Sequence, residues 1–390
     1  MVRTYLRKIK STWSLLVFVN KIKKDSGRKY FYILHDYLSL KKRKGLKIEE
    51  YYQYELEKQD REMKESFLGE NEQRFYLDLL NPKKYYTIAR NKYFSHLFLE
   101  TAHLPKAQLY CYYNPEYKLD RNERISYDYK STIRILQEKK VQECVIKTTE
   151  SSHGDNVWVI RKITFTEEDC ILEKFNGQTL FLSKLLNYEP LIFESLIKQT
   201  KQFEQFNESS VNTVRFMTTL YPDGNVKIIA TFIKIGRQGT CVDNAGNGGN
   251  VDAAIDTETG KLQYVIRYDG IRKVKPITHH PDSGNLLDGV QIENWEIVKK
   301  KIIGFQQAMP YLKAIGWDIA ITGNGPVVIE MNEFWDRTGQ MFIRRGWRKE
   351  IRACYRAWKE LEDKGLVRYP FERQNNPLSV RKLNKIVNLE

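Results

Sequence analysis

Three oxygen-bearing residues towards the C-terminal end of the chain are spaced so that they could hold one metal ion. They lie in residues 316–332, where alternating apolar residues on both sides of a Gly-Asn-Gly-Pro turn predict a β-hairpin. A hairpin centred on Asn324 places Asp318 opposite Glu330. Asn332 then falls on the same face, because side chains alternate along a strand. Facing carboxylates repel unless a cation lies between them, so we predict a Mg²⁺ site; the alternative is a hairpin with one solvated polar face.

The elements that must position this hairpin are predicted to be both helices and strands, which makes the fold class α+β. Residues 1–90 have a mostly helical pattern, interrupted by Asn-Pro at 81–82. A helix at 295–312, with Asn294 as its N-cap, leads into the hairpin, and an apolar stripe after Phe342 predicts a closing helix. Segments rich in β-branched residues between turn residues predict strands at 141–147, 156–161, 191–197, 212–218 and 226–233.

The composition describes a globular protein with a basic front segment. The chain has 390 residues, of which 41% are hydrophobic, and a formal net charge of +15. Residues 1–50 contain 14 Lys or Arg and 4 Asp or Glu, a net charge of +10, so the rest of the chain carries only +5. This composition excludes a disordered chain, and this distribution argues against nucleic-acid binding by the body of the protein.

The basic front segment contains an apolar run at residues 14–19, which is too short to cross a membrane, since a transmembrane helix needs about 20 apolar residues. No signal-peptide cleavage pattern follows it, and we expect a cytoplasmic protein. Two interpretations stay open. A basic amphipathic helix could lie on the inner face of an anionic membrane, or it could pack on the protein's own body with a solvated basic face.

The cysteines and histidines form no recognisable metal or disulfide pattern. The five cysteines are scattered without a short-spaced pair, which predicts buried small hydrophobic side chains. His279 and His280 are neighbours, and adjacent side chains in an extended loop point apart, so we do not expect joint metal ligation. A role of this loop near a substrate is the alternative.

Three further charged residues lie where they could contact a nucleotide. Lys147 ends a predicted strand just before the Ser-Ser-His-Gly-Asp segment at 151–155, and Lys92 begins a helical pattern. An ammonium group at such an end either emerges into solvent or holds phosphate oxygens as a point charge. Glu194 lies inside an apolar strand, where it needs a donor, either an adenine amine or a neighbouring Lys or Arg.

The order of these residues resembles the ATP-grasp superfamily. Arg215 and Arg237 follow the two lysines and the carboxylate, and Arg237 precedes a glycine-rich segment at 243–251 that is neither a Walker nor a Rossmann pattern. More closely, the chain is similar over residues 85–345 to the sugar-transfer-associated ATP-grasp family. The motifs that carry this resemblance are Asn212-Thr-Val-Arg215, Val242-Asp-Asn244 with Gly248-Gly249, His280-Pro-Asp-Ser-Gly284, Trp317-Asp318 and Glu330-Met-Asn332.

The resemblance implies two α+β subdomains that clamp ATP, preceded by a basic helical section at 1–84. Within the ATP-grasp region at 85–345, it implies a lid subdomain with an adenine hinge at 141–200 and a catalytic, metal-binding subdomain at 201–345. A C-terminal helix and tail occupy 346–390. The implied site residues are Lys92 and Lys147 on the phosphates, Glu194 on the adenine amine, the Leu196 backbone beside the ring, Asp318, Glu330 and Asn332 on two Mg²⁺ ions, and Arg215 and Arg237 on the reacting oxygens.

The activity implied by the resemblance is an ATP- and Mg²⁺-dependent ligase that joins a carboxylate to an amine through an acyl phosphate. Its partners would be a carboxylate and an amine acceptor that are sugar-linked, in surface polysaccharide or sugar-acid modification. A phosphotransferase on the same fold is one alternative, and a non-catalytic binder of nucleic acid or membrane through residues 1–50 is another. Two departures from the pattern concern the glycine-poor segment after Lys147 and Gly316, where D-alanine ligase relatives carry Arg.

Overall fold

The computed structural model of the protein describes residues 2–116, 124–150, 156–186, 189–240, 249–268 and 274–367. Within these ranges the chain forms two sheets and the helices that cover them. The helices are α1 (Val2–Ser26), α2 (Tyr30–Lys44), α3 (Ile48–Gln53), α4 (Arg61–Ser66), α5 (Glu70–Leu80), α6 (Thr87–Arg90), α7 (Lys92–Thr101), α8 (Tyr129–Glu138), α9 (Leu182–Leu185), α10 (Lys201–Phe206), α11 (Trp295–Ala308), α12 (Gly339–Phe342) and α13 (Arg348–Asp363). The strands are β1 (Leu109–Tyr113), β2 (Ile125–Ser126), β3 (Cys144–Thr148), β4 (Val157–Phe165), β5 (Cys170–Lys174), β6 (Thr179–Phe181), β7 (Leu191–Glu194), β8 (Thr213–Leu220), β9 (Val226–Ile235), β10 (Val251–Ile255), β11 (Leu262–Tyr268), β12 (Val274–Pro276), β13 (Ala314–Thr322) and β14 (Gly325–Asn332).

The first sheet has the strand order β2-β1-β7-β3-β4-β5-β6. Its neighbouring strands are antiparallel except for β1 and β2, which are parallel. Helices α8 and α9 pack on it around a core that includes Ile135, Leu182 and Phe193. Because β1 and β2 precede residue 141, this sheet is larger than the segment 141–200, and the subdomain boundaries stay predictions.

The second sheet carries the hairpin and is covered by helices on both faces. Its strand order is β12-β11-β10-β9-β8-β13-β14, and every neighbouring pair is antiparallel. Helix α11 packs on one face, where Phe216 stacks on Trp295 with ring centroids 5.3 Å apart. Helices α5, α12 and α13 cover part of the other face around Met217 and Trp347. Helices packed on these faces position the hairpin strands.

The hairpin has the predicted pairing at the metal position but a different turn. Thr322 pairs with Gly325, so the turn is centred between Gly323 and Asn324 rather than on Asn324. Asp318 nevertheless pairs with Glu330, because Ile329 is an extra residue on β14 that shifts the register by one. The bulge therefore restores the pairing that the sequence predicted.

The other strand and helix predictions are confirmed in type and differ at their ends. All five predicted strands are present, but β7 ends at Glu194 instead of 197, and β9 continues to Ile235 instead of ending at 233. Helix α11 ends at Ala308 instead of 312. Asn294 occupies its N-cap position as predicted, but with a left-handed φ of 55° and without a side-chain capping hydrogen bond. Local backbone geometry therefore overrides the capping preference there.

The front helices pack against the C-terminal part of the chain. Gln340 accepts a hydrogen bond from the Leu68 backbone N–H at 2.8 Å and donates one to the Leu68 carbonyl at 2.9 Å. Buried Arg348 donates from Nε to Glu72 at 2.7 Å. Helix α13 is the predicted closing helix, and its apolar stripe lies in the core. These contacts join the helical section to the covered face of the second sheet.

The segment 151–155, most of the glycine-rich segment and the tail beyond Pro370 lie outside the described residues. The four cysteines within the described ranges are buried and free, as predicted, namely Cys111, Cys144, Cys170 and Cys354. None of the described helices is long and apolar enough to cross a membrane.

Candidate active site

A cleft of about 480 Å³ between the two sheets gathers most of the residues that the sequence singled out. Six of the nine predicted site residues line it, namely Lys92, Lys147, Glu194, Leu196, Asp318 and Glu330. The other three, Arg215, Arg237 and Asn332, are not among the lining residues, although Arg215 contacts Asp318, which is. The cleft therefore combines lysines, carboxylates and apolar strand residues in one space.

Asp318 is buried at the hairpin and held by two cations from β8 and β9, the next two strands of the sheet. Arg215 on β8 lies opposite it in the ladder and donates from Nε to Oδ1 at 2.6 Å and from Nη2 to Oδ2 at 2.7 Å. Lys234 on β9 places its Nζ 3.2 Å from Oδ1. Burial raises the pKa of Asp318, but the charges of Arg215 and Lys234 outweigh it and hold the pKa at about 2. Asp318 is thus ionised at neutral pH.

Glu330 lies opposite Asp318 and has a different environment. Among the described residues, none donates a hydrogen bond to its carboxylate, which lines the cleft. Burial and the charge of Asp318 raise its pKa, and Lys92 and Lys234 only partly counter this. A carboxyl group that has a raised pKa and faces a cleft suits a divalent cation, because the cation would relieve the repulsion from Asp318.

The remaining predicted ligand also keeps an oxygen available. Asn332 donates from Nδ2 to the Gly316 carbonyl at 3.3 Å, which leaves its Oδ1 as an acceptor. A Cβ at Gly316 would lie 3.1 Å from the Cβ of Trp335, so the glycine makes room for Trp335 and for Arg215 beside it. The donor set of two carboxylates and one amide oxygen therefore fits Mg²⁺, although Asp318 already has cationic partners.

A second buried carboxylate lies across the cleft on the first sheet. Glu194, at the end of β7, forms an ion pair with Lys147 on β3, and its Oε2 lies 2.8 Å from Nε2 of His96. Burial raises the pKa of Glu194, but the charge of Lys147 and the hydrogen bond to His96 outweigh it and hold the pKa at about 2. Of the two kinds of donor that the sequence analysis left open for Glu194, the structure thus supplies a neighbouring lysine, with a histidine beside it.

Lys92 is held at the first turn of α7 by its neighbours. The Asn91 side chain caps the helix by accepting from the N–H groups of Tyr93 at 3.1 Å and Phe94 at 3.2 Å. The Lys92 N–H donates to the carbonyl of Thr149 at 2.9 Å, which ties the helix to the chain after β3. Burial lowers the pKa of Lys92, and Glu330 acts against this shift. The two lysines therefore approach the cleft from adjoining elements.

Apolar side chains from the first sheet complete the cleft. They are Val145, Val157, Val159, Phe175 and, after β7, Leu196 and Ile197. Because β7 ends at Glu194, the backbone of Ser195, Leu196 and Ile197 leaves the sheet where it lines the cleft. This arrangement offers a flat aromatic ring both apolar contact and backbone polar groups.

Arg237 belongs to a separate cluster near the end of β9. It donates to both oxygens of Asp282, from Nη2 at 2.6 Å and from Nε at 2.7 Å, which helps to hold the pKa of Asp282 at about 2. His280 is buried with Nε2 3.0 Å from the Gly236 carbonyl, while His279 is exposed beside Thr278. The cluster connects the 278–284 loop to the end of β9.

Comparison of the chain with known protein families identifies the family to which it belongs. A family model described as sugar-transfer associated ATP-grasp matches residues 70–355. The chain belongs to this family. The resemblance and the ATP-grasp fold class inferred from the motifs are therefore confirmed, and the matched region extends from α5 into α13, beyond the 85–345 expected.

Solved structures to which this ATP-grasp protein is similar share little of its sequence. For an N5-carboxyaminoimidazole synthetase from Staphylococcus aureus, complexed with ADP, the identity is 11%, the TM-score 0.41, and the match covers 71% of this chain and 54% of that chain. For the N5-carboxyaminoimidazole ribonucleotide synthetase from Thermotoga maritima the identity is 13% and the TM-score 0.38, and the match covers 70% of this chain and 51% of that chain. For the D-alanine-D-alanine ligase from Helicobacter pylori the identity is 8% and the TM-score 0.35, and the match covers 71% of this chain and 61% of that chain. The chain thus spans less than two thirds of the length of each, and no curated protein matches it in sequence.

Two residues that contact carboxylates of the ATP-grasp cleft, Lys234 and His96, were missed by the sequence analysis. Lys234 was left out because the predicted strand stopped at 233; a charged residue between Ile233 and Ile235 was the available signal. His96 lies one helical turn after Lys92, on the buried side of α7 with Leu99. The spacing of Lys92 and His96 at i and i+4 could have indicated a shared polar face.

Proposed function

We propose that this protein is an ATP- and Mg²⁺-dependent ligase that joins a carboxylate to an amine. The observation that carries the proposal is the cleft between the two sheets, where two lysines and two facing carboxylates lie in one space with an apolar strand surface. Phosphoryl transfer requires positioning and charge neutralisation more than protein nucleophiles, which matches this set of residues.

In the proposed complex the adenine lies against the apolar strands and the backbone at Leu196. Glu194 would accept a hydrogen bond from the adenine amine. A carboxylate offers about four acceptor sites, and Lys147 and His96 do not use all of them. Lys147 and Lys92 would hold phosphate oxygens as point charges. The nucleotide would thus bridge the first sheet and the hairpin.

The hairpin would serve the transferring phosphoryl group. When bound by Asp318, Glu330 and Asn332, Mg²⁺ would neutralise phosphate charge and orient the γ-phosphoryl group. Arg215 keeps Asp318 ionised and oriented through its two hydrogen bonds, and Arg237, near the 278–284 loop, would face the acid substrate. These roles follow from placement and charge.

The reaction would proceed in two transfers. A substrate carboxylate oxygen attacks the γ-phosphorus of ATP, ADP leaves, and an acyl phosphate forms. An amine then attacks the acyl carbon, inorganic phosphate leaves and the amine loses a proton, which gives an amide. We expect the acid or the amine to be sugar-linked, in surface polysaccharide or sugar-acid modification, as the family description suggests.

Calorimetric titration of a non-hydrolysable ATP analogue, with Mg²⁺ and with chelator, tests the nucleotide site. We expect binding that strengthens with Mg²⁺ and that is weaker by at least about tenfold in Glu330→Gln, which keeps the shape but removes a ligand charge. Glu296→Gln, at an exposed position on α11, is the matched control and should bind like the wild type. An affinity for the analogue that changes neither with Mg²⁺ nor in Glu330→Gln would refute the metal assignment.

The reaction type is tested by release of ADP from pools of acids and amines. A ligase releases ADP steadily only when both an acid and an amine are present, and its product is an amide. A stable phosphorylated product formed without an amine would favour the phosphotransferase alternative instead.

A further inference from the structure

The two front helices expose large apolar side chains to solvent on their outer faces. On α1, Trp13 is 69% exposed and Leu16 is 46% exposed. On α2, Phe31 is 83% exposed and Leu38 is 45% exposed. Two adjoining helices thus expose four large apolar side chains, and Tyr32 on α2 is also 43% exposed.

The exposed residues of each helix lie on a single side. On α1, Trp13 and Leu16 are followed at helical spacing by Asn20 and Lys24, which are also exposed, while Val19 and Ile22 are fully buried. On α2 the exposed series is Phe31, His35, Leu38 and Lys42, and the buried series is Ile33, Tyr37 and Leu40. Both buried series belong to one apolar cluster with residues of α3, so both outer faces point away from the body.

The same two helices and the loop between them carry concentrated positive charge. The exposed basic residues from Trp13 onwards are Lys21, Lys23, Lys24, Arg28, Lys29, Lys41 and Lys42. Between Trp13 and Lys42 the exposed acidic residue is Asp25. We call this set, with Trp13, Leu16, Phe31 and Leu38, the basic helical face.

We propose that the basic helical face docks the protein on an anionic membrane surface. Helices with basic residues beside Trp, Phe and Leu lie in the plane of a membrane interface, where the apolar side chains enter the headgroup region and the basic ones meet anionic lipids. Charge complementarity favours this occupant over parts of the same protein. A second copy would present the same positive charge, and residues 368–390 contain five Lys or Arg and two Glu.

Flotation of the full-length protein with vesicles tests the proposal. We expect binding to mixed phosphatidylglycerol and phosphatidylcholine vesicles, weaker binding as salt increases, and no binding to phosphatidylcholine alone. Phe31→Ser should weaken binding by about tenfold, whereas Phe181→Ser, at a 50% exposed position on β6, should not. Lys23→Gln with Lys24→Gln should weaken it by about tenfold or more, whereas the exposed control pair Lys300→Gln with Lys301→Gln should not.

Tryptophan fluorescence separates insertion from loose adsorption. The fluorescence emission of Trp13 should shift to shorter wavelength when the protein binds anionic vesicles. Trp13→Phe should remove that shift while leaving flotation unchanged. Equal binding to both vesicle types, absence of binding, or control variants as weak as the test variants would overturn the proposal.

The competing occupants give different results. Binding of a DNA or RNA duplex that is as tight as vesicle binding and unaffected by Phe31→Ser would overturn the membrane proposal, as would concentration-dependent self-association lost in Phe31→Ser. The result is independent of the ligase proposal, because Glu330→Gln should keep vesicle binding while it loses Mg²⁺-dependent nucleotide binding.

Discussion

At the scale of single residues, the candidate site depends on buried carboxylates whose partners fix their charge. Glu194 and Asp318 each have two cationic or imidazole partners, and both have a pKa of about 2. Glu330 has no such partner among the described residues, and its pKa is raised by burial and by Asp318. The site therefore holds two carboxylates that are already satisfied and one that a ligand must satisfy.

Glu194→Gln tests the value of the first of these ionic contacts. A carboxyl pKa lowered from 4.5 to about 2 stabilises the fold above pH 4.5, and that contribution is lost as the pH falls through about 2. We expect the substitution to lower the free energy of unfolding by about 3 kcal/mol near neutral pH, because it leaves Lys147 without its buried partner. The deficit should narrow as the pH approaches about 3, and urea denaturation at both pH values measures it.

Two controls accompany this measurement. Lys147→Met combined with Glu194→Gln should lose less stability than the sum of the two single substitutions, because the double variant leaves no unpaired ion. Glu296→Gln, which is exposed, should change little. A deficit of the same size at both pH values would mean that shape, not charge, holds this position.

At the scale of elements, the start of α7 determines where Lys92 lies. Asn91 caps the helix through Oδ1 and donates from Nδ2 to Glu150 at 3.0 Å, so one side chain joins α7 to the chain that follows β3. We expect Asn91→Ala to lower the free energy of unfolding by about 1 kcal/mol and to weaken nucleotide binding, because Lys92 is the next residue. Urea denaturation and calorimetry measure the two effects.

Asn91→Ser separates the two functions of the side chain. Serine still caps a helix but cannot supply the amide donor to Glu150, so stability should be nearly retained. If Asn91→Ser is as unstable as Asn91→Ala, the link to Glu150 rather than the cap holds α7 in place.

The elements also show how far the sequence could predict this protein. Apolar alternation and turn residues were enough for the hairpin, because these signals are local. The opposition of Asp318 and Glu330 was predicted only because the misplaced turn centre and the bulge at Ile329 offset each other. The bulge at Ile329 was not predictable, since it reflects how β14 pairs with β13 across the sheet. Helix α7 was found but its partners were not, because the contact between His96 and Glu194 spans 98 residues of sequence and forms only when the sheets assemble.

At the scale of the whole molecule, the helical front section and the ATP-grasp region form a continuous packed unit. The family match begins in α5, within the section that the sequence analysis placed before the ATP-grasp region. The close contact between the two parts is at Gly346, whose N–H donates to the Ser66 hydroxyl at 3.1 Å. A Cβ at this position would lie 1.9 Å from the Ser66 carbonyl oxygen and 2.3 Å from the Phe67 nitrogen.

Gly346→Ala should therefore strain the contact between the two parts. Backbone atoms of Ser66 and Phe67 cannot give way as a flexible side chain could, so we expect a loss of about 1–3 kcal/mol in the free energy of unfolding. The control is Gly304→Ala within α11, where no atom lies within 4 Å of the added Cβ and stability should rise by about 0.5–1 kcal/mol. Urea denaturation measures both. A single transition shifted to lower urea would show that the front helices and the ATP-grasp region unfold together, whereas an early separate transition would show that the front helices unfold on their own. Unchanged stability in Gly346→Ala would contradict the close packing at Ser66.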